Sequence, residues 1–70
     1  MEVLVVPHSL TLGQRVRLLR IAAGLRQHEL AIRADVTPSA VSALERDCGP
    51  YPAAKRRILA AIGIVEEVEA

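Results

Sequence analysis

The spacing of apolar residues changes twice along the chain. Residues 2–6, EVLVV, form an aliphatic, β-branched run closed by Pro7, and IVEEVE at residues 64–69 is also rich in valine and isoleucine. Both ends read as short strands that would pair with each other or with a second chain, because each alone would leave an unprotected edge. Between them a helical period takes over. Leu12, Val16, Leu19 and Ala23 recur at helical spacing, and Thr11 with Gln14 three positions on forms a capping box. The first helix is predicted over residues 12–23, with Gly24 as its stop. A second runs from Gln27 to Ala34 with Leu30, Ala31 and Ala34 inward. Arg26 stands where Ser, Thr or Asp would cap it at a gain of about 1 kcal/mol, although Glu29 can answer from the third position. Thr37 and Pro38 open a third helix whose inward stripe is Val41 and Leu44. After the loop DCGPYP, Pro52 starts a fourth, with Ile58, Leu59 and Ile62 inward, Lys55, Arg56 and Arg57 outward, and Gly63 at its end.

The third helix is unusual. Its other side chains are very small and carry little charge until Glu45 and Arg46, which suits neither a core helix nor an ordinary surface helix. It follows the second helix after only Asp35 to Thr37, and two short helices joined this tightly form a helix-turn-helix signature.

Charge sharpens that reading. The net charge is +1, but all nine Lys and Arg residues lie between Arg15 and Arg57, where Glu29, Asp35, Glu45 and Asp47 oppose them, a local net of +5. The remaining acids, Glu2, Glu66, Glu67 and Glu69, sit at the ends. A basic middle points to a polyanionic partner. Tyr51 is the sole aromatic residue, which excludes a base-stacking platform. Seventy residues make one small domain, and a core of that size rarely supplies more than about 3 to 5 kcal/mol, so dimerisation would help.

Other chemistry finds little support. One cysteine, Cys48, cannot form an internal disulfide, no leader is evident, and the run Val3 to Val6 is too short to span a bilayer, so the expected location is cytoplasmic. His8, His28 and Cys48 share no ligand spacing, so no metal is expected, and no cofactor or small-molecule ligand is evident. Paired carboxylates, a nucleophile with its base and a phosphate-cradling glycine loop are all lacking, which argues against an enzyme.

The stretch GLRQHELAIRADVTPSAVSALERD resembles the helix-turn-helix of the phage repressor and Cro family, whose common form reads roughly G-L-S-Q-x-E-L-A-x-x-x-G-V-S-x-x-x-I-S-x-x-E-x-G. The likeness runs without gaps from about Leu12 to Ile64 and includes LAAIGI near the end. It implies an all-α, lambda-repressor-like domain of four to five helices over residues 10–63, with residues 1–9 an extension and 64–70 a tail, the two segments where the short strands are expected. Three departures stand out: Asp35 for the turn glycine, Arg26 for a capping serine, and Asp47 for a glycine after the third helix.

By the same resemblance, the third helix enters a DNA major groove about 12 Å wide, where small outward residues let the backbone come close. Base-facing positions fall on Pro38, Ser39, Ser42 and Ala43, flanked by Thr37 and Arg46. The first four cannot make bidentate contacts, so direct readout should be modest and DNA shape should contribute. Phosphate contacts are expected at Arg26 and Gln27, and at Ala53, Ala54, Lys55 and Arg56. Arg20 and Glu45 are expected to form a structural ion pair. The function implied is a sequence-specific, double-stranded-DNA-binding transcriptional regulator, a homodimeric repressor on a palindromic operator. The alternative is a protein-interaction module or antitoxin subunit with weak DNA reading.

Overall fold

The structure, a computed structural model, describes residues 10–64. Four helices follow one another: α1 (Leu12–Ala22), α2 (Gln27–Ala34), α3 (Pro38–Glu45) and α4 (Pro52–Ala61). The fold is all-α. The strands expected at the termini fall largely on residues 1–9 and 65–70, outside the described residues. Ile64 lies within them; its backbone N–H donates to the Leu59 carbonyl at 2.9 Å and its side chain packs against the core, so it closes the turn that follows α4 and is not in a strand.

Local chemistry sets the boundaries. Thr11 Oγ1 accepts from the Gln14 N–H at 3.1 Å while Gln14 Oε1 accepts from the Thr11 N–H at 2.9 Å, which satisfies two donors that the first turn of α1 would leave open. The helix stops one residue earlier than its spacing predicts, with Ala23 as its cap. At α2 the Arg26 side chain makes no capping bond, and Glu29 Oε1 instead accepts from the Arg26 N–H at 2.7 Å. Asp35 closes α2 at φ 58°, a left-handed conformation that Asp tolerates better than most residues. Thr37 Oγ1 then caps α3 by accepting from the Ala40 N–H at 3.2 Å.

Val16, Leu30, Ala31, Ala34, Val41, Leu44, Ile58 and Leu59 form the buried cluster. Burying a side chain of the size of leucine or valine contributes about 1.5 to 3 kcal/mol. The central helix is α3, which packs on all three others; α2 rests on both α3 and α4, and α1 mainly on α3. Ala31 is almost fully buried within this cluster, a small side chain on the packed face of α2.

The inward face of α1 differs from the one its spacing predicts. Leu19 is 40% exposed and Ala23 is exposed, whereas Gly13, Val16 and Arg20 are the buried positions. Helical periodicity fixes a stripe only to within a residue, and here a buried ion pair turns Arg20 inward at the expense of its neighbour Leu19. Gly13 makes that rotation possible: a Cβ at this position would lie 2.8 Å from both Glu45 O and Asp47 Oδ1 and would collide with Leu44 O. In α4, Ile58 and Leu59 are buried as expected, but Ile62 is only half-buried because it caps the helix rather than continuing it.

Candidate nucleic-acid interface

The two sides of α3 have different chemistry. Val41 and Leu44 point into the core, while Thr37, Pro38 and Ser39 are exposed and Ser42 and Ala43 are half-buried. Arg46 caps the end of α3 and is exposed; its Nε donates to the Ser42 carbonyl at 3.3 Å, which lays the guanidinium back along the helix. A narrow surface of methyls and hydroxyls thus ends in one cation. The turn before it is held from behind, since Arg57 Nη1 donates to the Asp35 carbonyl at 3.3 Å and stands 3.9 Å from the Asp35 carboxylate.

Two other helices begin without a side-chain cap. Neither Arg26 before α2 nor Tyr51 before α4 supplies a side-chain cap, so first-turn N–H groups of both helices remain available to an external anion. At α2, Arg26 is exposed and Gln27 half-buried. At α4, Ala53 and Arg56 are exposed, but Ala54 is buried, so Ala54 can contribute only its backbone N–H. Lys55 is half-buried rather than fully outward as predicted.

Behind the surface lies a charged node that joins three helices. Arg20 Nε donates to Glu45 Oε2 at 2.6 Å, its Nη2 donates to Glu45 Oε1 at 3.1 Å, and its Nη1 donates to the Leu25 carbonyl at 2.8 Å. The side chains are 11% and 4% exposed, so the pair is almost dry. Gln27 Nε2 donates to the same Glu45 Oε1 at 3.1 Å. The family resemblance implies a phosphate contact for Gln27 but does not reveal this tie to Glu45. Among the described residues no buried side-chain nitrogen or oxygen lacks a partner.

Asp47 is a further residue that sequence reasoning missed. It takes a left-handed φ of 58°, its Oδ2 accepts from the Thr11 hydroxyl at 2.6 Å, and its Oδ1 accepts from the Gly13 N–H at 3.0 Å. The carboxylate therefore sits at the positive end of α1 and ties it to the residue just beyond α3. Among the described residues no group of three or more His, Cys, Asp or Glu is placed to hold a metal ion.

A family model described as a helix-turn-helix domain matches residues 11–69. The chain belongs to that family. Comparison with curated proteins gives no match. Helix-turn-helix domains lay their second motif helix in the major groove while the first crosses the backbone. In this helix-turn-helix domain the two motif helices are α2 and α3, and the side of α3 opposite Val41 and Leu44 is its outward face. No helix among the described residues is long and apolar enough to cross a membrane.

Proposed function

We propose that this domain is a cytoplasmic, sequence-specific regulator of transcription that binds double-stranded DNA as a homodimer on a palindromic operator and represses by occlusion. The observation that carries the reading is the division of α3 into an apolar inner stripe and a small, polar outer face. Two other helices, α2 and α4, begin without a side-chain cap. Thr37, Pro38, Ser39, Ser42 and Ala43 approach base edges, with the hydroxyls bonding to them and the methyls packing on thymine, and Arg46 reaches the groove from the end of the helix. Arg26, Gln27, Ala53, Ala54, Lys55 and Arg56 hold phosphates on either side. Two copies of α3 about 34 Å apart would read successive major grooves.

Selection of bound sequences from a random duplex pool tests palindromy and spacing together. Affinity should fall with salt at a log-log slope of about −0.9 per phosphate neutralised, and Arg26→Ala should reduce that slope for every sequence alike. A parent protein with a flat salt response would sink the proposal. A second reading, a protein-interaction module or antitoxin subunit, is favoured by the lack of Arg, Asn or Gln at positions 38–43. Equal affinity for selected and random duplex would favour that reading.

A further inference from the structure

We propose that Glu45, besides neutralising Arg20, is a positioning residue for DNA: it holds the Gln27 carboxamide by one N–H so that the other is presented to a phosphate. The inference rests on the DNA-binding reading above and adds a mechanism to it. A carboxamide has two N–H groups and one oxygen, and beside a carboxylate only its nitrogen side can face inward. Glu45 Oε1 takes one of those hydrogens at 3.1 Å, which leaves the geminal hydrogen directed away from Glu45. Gln27 is half-buried and opens α2, whose first-turn N–H groups have no side-chain cap, so the free hydrogen adds to a site already favourable to an anion.

The side-chain type follows from the same geometry. A lysine or arginine at position 27 would compete with Arg20 for Glu45 as a full charge, whereas a neutral glutamine shares the carboxylate without displacing its partner. Because Glu45 is the last residue of α3 and Gln27 the first of α2, the bond fixes the phosphate seat in register with the base-reading surface. Both contacts then move as one body.

Glu45→Gln separates this role from simple electrostatics. Removing a negative charge should tighten binding to any polyanion, while loss of positioning should weaken it. Fluorescence anisotropy on a random-sequence duplex, at low temperature and with folding verified by NMR, should show Glu45→Gln binding about tenfold more weakly than the parent. Gln27→Ala should weaken the parent by a similar factor without changing the salt slope, since glutamine carries no charge, and should cost little more in the Glu45→Gln background. In the parent, one Gln27 side-chain proton should exchange more slowly than those of Gln14, whose amide is bonded through its oxygen. Equal or tighter binding by folded Glu45→Gln, additive losses, or Gln27 protons exchanging as fast as those of Gln14 would overturn the inference. If Glu45→Gln does not fold, the exchange comparison and the Gln27→Ala affinity decide. A parent that fails to bind duplex at all removes the function reading and this inference with it; a parent that binds while Gln27→Ala loses nothing removes only the inference.

Discussion

Gly13→Ala is a one-methyl change at an exposed-looking helix start, and it should be among the most damaging substitutions in the domain. Intrinsic propensity favours alanine by about 1 kcal/mol within a helix. Against that, the new Cβ would stand 2.8 Å from Glu45 O and Asp47 Oδ1 and closer still to Leu44 O. Two of these atoms are backbone carbonyls at the end of α3, which cannot swing aside as a flexible side chain would. Relief requires α1 to back away from α3, the main surface on which it packs. Overpacking of this kind costs about 1 to 3 kcal/mol. The retreat also strains the 3.0 Å bond from the Gly13 N–H to Asp47, and hydrogen bonds to charged groups contribute about 1.5 to 3 kcal/mol before solvent exposure reduces them. The net loss is on the order of 2 to 4 kcal/mol, equivalent to a fall in Tm of roughly 10 to 30 °C for a domain of this size. Thermal denaturation followed by circular dichroism measures it, with the exposed Arg17→Ala on the same helix as a control. A Gly13→Ala protein that melts with or above the parent would refute the close approach of α1 to α3.

Arg20→Met should leave Glu45 charged and buried without its cation, a loss of about 3 to 5 kcal/mol that unfolds most of the population at room temperature; a melting curve like the parent's would mean that the pair is wet in solution. Asp35→Gly should raise Tm by a few degrees, because the left-handed backbone is relieved and the exposed side chain surrenders only a 3.9 Å contact. Asp47→Gly relieves the same φ but should lower Tm, since two bonds to α1 are lost, and equal shifts for the two variants would show that the Asp47 bonds contribute nothing. Ser39→Ala and Ser42→Ala should change the preferred operator bases with little effect on Tm, whereas an equal loss on selected and random duplex would assign both hydroxyls to the backbone.

Residues that act on near neighbours were legible in the sequence. Thr11 with Gln14, Glu29 with Arg26, and Thr37 with Ala40 all satisfy backbone groups three positions away, so the helix starts can be read from local chemistry alone. The left-handed Asp35 could be anticipated from the resemblance, in which it stands at the turn glycine. The face of α1 could not. Periodicity admits Leu19 and Arg20 almost equally, and the choice is made by Glu45, 25 positions away, a partner that the family resemblance implied and the spacing did not. Gly13, Asp47 and the bond from Gln27 to Glu45 escaped for the same reason: each depends on which segments meet in space, and no spacing within one helix encodes that. At the proposed interface, outward positions on α3 follow from the inward ones, but the burial of Ala54 and the partial burial of Lys55 depend on how α4 docks.

The two-sided character of α3 also bears on how such a protein can evolve. Val41 and Leu44 hold the helix in the core, while Pro38 and Ser39 have their side chains in solvent and make no side-chain hydrogen bond within the described residues. Surface substitutions of that kind usually change stability by less than about 0.5 kcal/mol, so the outer face is free to vary without endangering the fold. A lineage built on this scaffold can therefore change the chemistry of that face through single exchanges while keeping the fold. Duplicated copies could diverge in what that face contacts, provided Gly13, Arg20 and Glu45 stay as they are.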